Sequence, residues 1–473
     1  MKIIPIIPIE NDEAELSLFE ERKKIYPRAQ KGWFGSWRWV LVWFTQILFY
    51  GAPWLSWNGR QAVLFDLVNR KFYIFGLVLW PQDFIYLAIL LVISALTLFL
   101  FTAIAGRVFC GYACPQTVYT EWFLWIEAKV EGERGARIKL DSAPYTWRKL
   151  RLKAVKHLAW LLIALWTGLS FVGYFTPIHS LVQELSAFAL GPWESFWFLF
   201  YAFATYGNAG FLREQVCKTM CPYARFQSAM FDKDTLIVTY DSARGEPRGS
   251  RSKKLDHKQL SLGSCVDCSI CVQVCPTGID IRNGLQYECI ACGACIDACN
   301  QVMDKMEYPR GLIRYTTEHA LANQWSQAAM WKRVWRLRTL IYASVVAGIV
   351  LAGGMSLAYR VPLKVDVIRD RTMPKITESG AIENVYRLQI MNTQESERRF
   401  HITVTGIAGA QIVDAESAFK VQIKSASSQT LPIRVRVPAG AISSGASRIK
   451  FVINDIDDPQ VRVVEKAAFI VPR

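Results

Sequence analysis

The residues able to do chemistry in this chain are its twelve cysteines, which fall into four tight groups. Two groups are pairs, Cys110 with Cys114 and Cys217 with Cys221. Two are quartets, Cys265, Cys268, Cys271 and Cys275, then Cys289, Cys292, Cys295 and Cys299. None is left over for scattered disulfides. Such clustering reads as metal ligation in a reducing compartment. The quartets lie in CVDCSICVQVCP (Cys265–Pro276) and CIACGACIDACN (Cys289–Asn300). Both have the C-x2-C-x2-C-x3-C spacing of bacterial two-cluster ferredoxins. Three thiolates in a tight loop cap three irons of one cubane, and the fourth points away to the other cluster. The spacing therefore predicts one [4Fe–4S] cluster on Cys265, Cys268, Cys271 and Cys299, and a second on Cys289, Cys292, Cys295 and Cys275. Zinc modules use two separated C-x2-C pairs instead. Asn300 stands where proline often follows the last cysteine, which should change only the local turn.

The pairs form an internal repeat, VFCGYACP at Val108–Pro115 and VCKTMCP at Val216–Pro222. Proline disfavours helix in the residue before it and suits the first position of a new helix. Cys114 and Cys221 are therefore expected at helix N-termini, where the dipole lowers a thiol pKa. Four such thiols suit a soft metal, and thiolates select Cu(I) among first-row ions. The plainer alternative is that they are small buried residues of a helical bundle. His157, near the same end of its helix, is better explained as an interfacial anchor than as a ligand. No C-x-x-C-H is present for c-type haem, and no G-x-G-x-x-G follows a strand.

The elements that must position these thiols are mostly apolar. A hydrophobic fraction of 52% with 17 Trp points to a membrane, and five segments are apolar enough to cross one. They are Trp37–Trp57, Phe84–Ala105, His157–Thr176, Trp193–Leu212 and Leu340–Tyr359. The net charge of +15 is concentrated in alternate loops, with no nucleic-acid motif beside it, so lipid rather than nucleic acid is the expected partner. The second-to-third loop carries nine Lys and Arg between Lys129 and Lys156, whereas Pro177–Pro192 has none. The bias puts the N-terminus and the cysteine-bearing loop in the cytoplasm and the C-terminus outside.

Residues 1–36 read as a polar cytoplasmic segment rather than a cleaved signal. Residues 37–212 then form a four-span membrane region with the first pair. Residues 213–339 form a cytoplasmic loop with the second pair and an inserted α+β dicluster ferredoxin-type module. The polar stretch Asp241–His257 within that loop reads as a mobile linker. Residues 340–359 are the fifth span. Residues 360–473 alternate as an all-β sandwich, with strands expected at Val385–Met391, His401–Val404, Phe419–Ile423, Ile433–Val437, Ile449–Ile453 and Val461–Val464. The fold class is thus a multi-domain protein with a five-span α-helical bundle.

FCGYACPQTVYTEWF (Phe109–Phe123), CKTMCPYARFQ (Cys217–Gln227) and the dicluster block together resemble the accessory proteins for cbb3-type cytochrome oxidase assembly, CcoG, also called FixG or RdxA. The likeness covers nearly the whole chain. It implies an immunoglobulin-like C-terminal domain, two [4Fe–4S] clusters, a place in the bacterial inner membrane, and reduction of Cu(II) to Cu(I) for the oxidase. The expected partners are oxidase subunits, a copper chaperone or transporter, and an unknown electron donor. Copper would be the substrate, at Cys110, Cys114, Cys217 and Cys221. Two other functions compete with this one: an electron-transfer subunit of a quinol-linked respiratory enzyme, and a non-catalytic assembly scaffold.

Overall fold

The computed structural model describes residues 24–253, 261–370, 373–413, 420–441 and 445–471. Expectations for the first 23 residues, for the end of the Asp241–His257 stretch and for Phe419 fall outside that set. The apolar segments fold as helices Trp33–Gly51, Phe84–Ala105, Trp147–Val172, Pro192–Gly207 and Leu337–Ala358. The second matches its expected bounds. The first ends six residues early, because Pro53 sits in a short 3-10 turn that closes it. The third begins ten residues early, at Trp147, so its first turns carry Arg148, Lys149, Arg151 and Lys153.

Three helices among the described residues are long and apolar enough to cross a membrane, Pro81–Ala105, Trp147–Val172 and Leu337–Ala358. The most apolar stretches of the first and last have mean hydropathies of 2.8 and 2.0 and bury no residue in the protein. Faces this apolar and this exposed fit membrane association. The helix at Pro192–Gly207 has 16 residues. At 1.5 Å per residue it reaches about 24 Å, short of a hydrocarbon core of about 30 Å. A π-helical turn at Asn208–Leu212 prolongs it.

The chain divides into two compact units. One comprises residues 1–45, 101–164 and 203–336 and holds all twelve cysteines; the other comprises 46–100, 165–202 and 337–473. In the second unit, two antiparallel sheets form the C-terminal sandwich. One orders Gln411–Ile412, Ser428–Val437, Ile382–Asn392 and Leu363–Arg369, with Lys375–Ile376 also on the third of these. The other orders Lys420–Ile423, Arg398–Thr405, Gly445–Asp455 and Arg462–Val471. Strand periodicity sends every second side chain inward. Tyr386, Leu388 and Ile390 from one sheet thus meet Ile402, Phe451 and Phe469 from the other, all at 1% exposure or less. All six expected strands are present and most run longer. The Leu363–Arg369 strand was not anticipated, although Leu363, Val365 and Val367 alternate there with Lys364 and Asp366.

The loop between the first two helices is built rather than irregular. It makes an antiparallel meander of Val63–Asp66, Lys71–Ile74 and Leu77–Leu79. Beside it the buried Asp83 carboxylate pairs with Arg360 at 3.1 Å and Lys364 at 3.4 Å. These ion pairs fix the exit of the last helix into the sandwich.

Candidate metal centres

In the first unit each quartet wraps its thiols with the same local backbone. Asp267 and Ala291, just before the second cysteine of each quartet, both have φ of +51°. Ser269 and Gly293, just after it, have φ of +55° and +73°. Two left-handed residues around one cysteine turn the chain tightly enough to aim successive thiols inward. The quartets then diverge. Pro276 follows the short helix Ile270–Gln273, whereas the helix Ala294–Met306 runs on through Cys295, Cys299 and Asn300. Asn300 Oδ1 accepts a bond from the Gly311 N–H at 3.0 Å. The missing proline therefore lengthens the helix instead of altering a turn.

The eight thiols ring two small adjoining cavities. Cys265, Cys268, Cys271 and Cys299 line the first. Cys275, Cys289, Cys292 and Cys295 line the second, with Cys271 on the border. Each ring thus draws one thiol from the opposite quartet. The remaining walls are mostly apolar, including Ile279, Ile281, Val302, Met303 and Leu312, with Arg282 and Ser269 at the first cavity and Thr277 at the second. Among the described residues no three His, Cys, Asp or Glu side chains converge to hold a single ion. Thiols spaced around a cavity suit a polynuclear cluster and not mononuclear zinc, so the residues present fit iron–sulfur ligation. Burial pushes the Cys289 and Cys299 thiols up to about 12 and Cys271 to about 11. Metal must displace protons to bind such groups.

The stretch after Asp241, expected to be a mobile linker, is held at several points. Asp241 caps the Ser242–Gly245 turn. Arg251 donates to the carbonyls of Gly263 at 2.7 Å and Cys265 at 3.1 Å. Arg251 thus fastens the entrance to the first quartet, a role that polarity alone did not reveal.

The two Cys-x3-Cys-Pro pairs fold alike. The short helix Val108–Tyr112 and the π-helical turn Val216–Met220 each end in an extended cysteine, Cys114 (φ −63°, ψ 128°) and Cys221 (φ −78°, ψ 111°). A proline then starts the helices Pro115–Val130 and Pro222–Met230. The four thiols lie close enough to act on one another electrostatically. The expected lowering of the Cys114 pKa does not occur. Burial raises it, and the backbone N–H groups of Gln116 and Thr117 only partly oppose that. Burial likewise carries Cys110 up to about 12 and Cys217 to about 11.

The first pair touches the second ring. Cys110 packs against a buried cluster that includes Ile290 and Cys292. A Cβ on Gly111 would stand 2.6 Å from the Ile290 carbonyl oxygen and 2.9 Å from the Cys292 Cα. The Tyr112 hydroxyl donates to the Cys292 carbonyl at 3.2 Å. His157 is elsewhere, with Nδ1 bonded to the Tyr206 hydroxyl at 2.9 Å and its ring stacked on Phe211. Sequence patterns missed Gln227, which is fully buried and accepts from the Cys110 thiol at 3.3 Å. They also missed Glu127, buried between Arg213 at 2.6 Å and Arg137 at 3.1 Å.

Two thiol-ringed cavities beside a third group of thiols, carried with long apolar helices and a β-sandwich, define a ferredoxin-type iron–sulfur electron-transfer protein. Residues 212–318 match the family of 4Fe-4S dicluster domains, 87–131 a 4Fe-4S binding domain, and 354–472 the Ig-like fold at the C-terminus of FixG. The chain is 36% identical to the nitrogen fixation protein FixG of Rhizobium meliloti, over 96% of this chain and 94% of that one. It is 36% identical to RdxA of Cereibacter sphaeroides, over 96% and 98% of the two chains. RdxB of the same organism is 40% identical, over 91% of each. The chain belongs to the FixG/RdxA/RdxB family.

Proposed function

We propose that this protein reduces Cu(II) to Cu(I) at Cys110, Cys114, Cys217 and Cys221, for copper delivery during cbb3-type oxidase assembly. The observation that carries the reading is the packing of Cys110–Tyr112 directly on the Ile290–Cys292 backbone of the second thiol ring. Clusters held at Cys265, Cys268, Cys271 and Cys299, and at Cys289, Cys292, Cys295 and Cys275, supply one-electron storage when bound. In the reaction Cu(II) gains one electron and an external reduced donor loses it. The protein's own residues do the rest. Soft thiolates prefer Cu(I), and each tenfold preference raises the potential of bound copper by about 59 mV. Gln227 fixes the Cys110 thiol, and the apolar walls keep water from the path.

Five spans in a bacterial inner membrane place the cysteines in the cytoplasm and the sandwich in the periplasm. The sandwich, which has no cysteine, serves there as a docking module for oxidase subunits or a copper chaperone.

The test is Cys110→Ser with Cys114→Ser in anaerobically purified protein. Copper-dependent reoxidation should be lost while the electron paramagnetic resonance (EPR) signals of both clusters remain. Reoxidation at the wild-type rate refutes the site. A second reading, that the four thiols themselves hold iron and sulfide, is favoured by the 4Fe-4S match at 87–131, which contains only Cys110 and Cys114. Iron content separates the two, with about eight atoms expected for two clusters and more for three.

A further inference from the structure

Arg107 lies three residues before Cys110, at the start of the Val108–Tyr112 helix, and is only 3% exposed. Its guanidinium donates to two main-chain carbonyls, those of Tyr287 and Ala224. Tyr287 is two residues before Cys289, and Ala224 is three residues after Cys221. One side chain therefore ties together the first Cys-x3-Cys-Pro pair, the second pair and the loop entering the second ring. Its Nε finds no acceptor. Among the described residues, no carboxylate pairs with it.

A buried guanidinium is always charged, and without a counter-ion its burial is strongly unfavourable. Two carbonyl dipoles compensate only part of that. The remaining partners are the sulfurs around it, which become negative when they give up their protons to bind metal. The sulfurs within reach of its charge are those of Cys110, Cys217 and Cys289, which belong to both groups of thiols. The thiols of the first ring are differently served: there Arg282 acts on Cys271, and is itself paired with Asp280 and Asp267.

We propose that Arg107 is a positioning residue that clamps the four-thiol site to the second ring and makes the cluster held there easier to reduce. The proposal rests on the ligation given above. A fixed positive charge stabilises whichever state carries the extra electron, so its removal lowers the midpoint potential. The effect is local, because Arg107 meets the protein at the Tyr287 carbonyl beside the second ring, whereas Arg282 is the cation that lines the first.

The experiment is an anaerobic redox titration by EPR of wild type, Arg107→Met and Arg107→Lys, with iron content measured on each. Arg107→Met should disfavour reduction of the second cluster about tenfold, a shift of about 59 mV for one electron. The first cluster should not shift, and Arg107→Lys should stay near wild type. If Arg107→Met fails to hold iron, Arg107→Gln, which can still donate to a carbonyl, takes its place in the comparison. Unchanged potentials in iron-replete neutral variants overturn the proposal. So does an equal shift in Arg107→Lys, which would make geometry rather than charge the agent. Wild-type protein without iron would instead refute the ligation itself.

Discussion

Gly111→Ala tests whether the first cysteine pair is seated on the second ring as tightly as the structure has it. The added Cβ would lie 2.6 Å from the Ile290 carbonyl oxygen, 2.9 Å from the Cys292 Cα and 3.1 Å from the Ala291 carbonyl carbon, where ordinary contact begins at 3.4 Å. All three are backbone atoms of the thiol-bearing loop, so no side chain can swing aside. Either the Val108–Tyr112 helix or the Ile290–Cys292 loop must retreat by most of an ångström. Overpacking of this kind costs about 1–3 kcal/mol. The opposing term is helix propensity, since alanine in place of a helical glycine gains about 0.5–1 kcal/mol. The contact should win, leaving a net loss of about 1–2 kcal/mol. The assay is thermal loss of the second cluster's signal in detergent-solubilised protein, with the first cluster as internal control. The variant should lose the second signal at lower temperature. A variant as stable as wild type, or more so, would mean that propensity decided the outcome and that the two segments are not in contact.

Replacing Glu127 with Gln should destabilise the first unit by about 3 kcal/mol, because Arg213, Arg137 and Lys156 would lose a buried counter-charge; thermal unfolding checks it. Burial alone would raise the Glu127 pKa, but those cations outweigh it and hold the group below its ordinary value. Its contribution is thus fully present above the unfolded carboxylate pKa and is lost as pH falls through the depressed one, so acid should erase the difference between variant and wild type. Glu214→Gln addresses the copper step: Glu214 borders the four thiols through Cys217 and lines a cavity with His157, Trp160 and Phe211. The same cavity carries Lys24, Lys153, Lys156 and Arg213, so among the described residues Glu214 is one of only two carboxylates there to attract copper; its loss should raise the copper concentration at half-maximal reoxidation several-fold, and an unchanged value in steady-state titration would count against passage of copper by Glu214. For topology, a reporter fused after Arg473 should be active only in the periplasm and one inserted near Gly249 only in the cytoplasm; reversal of either would remove one of the shorter helices, Trp33–Gly51 or Pro192–Gly207, from the spans.

The parts of this molecule readable from sequence are those where one physical rule acts alone. Phe84–Ala105 carries no charge, so hydropathy by itself sets both of its ends. The sandwich strands centred on Tyr386, Ile433 and Phe451 alternate cleanly because each packs one face on the core. The rules fail where two compete. Trp147–Val172 begins as a basic helix and becomes an apolar one, so a hydropathy window sees only its second part. Val63–Leu79 folds as a meander in a stretch too short for strand periodicity to emerge. The Cys114 thiol shows the same competition in energy. Its helix N-terminus pulls the pKa down as expected, but burial, which local sequence does not encode, prevails.

The cysteine repeat itself was legible, but the sequence around it also contains an asymmetry that acquires meaning only in three dimensions. Three residues before Cys110 stands Arg107, and three residues before Cys217 stands Glu214. In a duplicated unit these positions correspond, yet they carry opposite charges, and both are buried. Arg107 reaches the segments around the second ring, at Tyr287 and near Cys289. Glu214 lies at the cavity lined by His157 and Phe211. The thiol site thus has a cation toward the ring and a carboxylate near Cys217, while the cavity beyond is lined by Lys24, Lys153, Lys156 and Arg213 as well as Glu127 and Glu214. An electron approaching from the ring would meet favourable charge at Arg107, whereas a copper ion in the cavity would find its attraction at the carboxylates and not in the lysine-lined wall. Two identical half-sites would offer no such distinction. On the proposed function, divergence of this one position after duplication gives a symmetric set of four thiols one cationic end, turned toward the ring that supplies the electron.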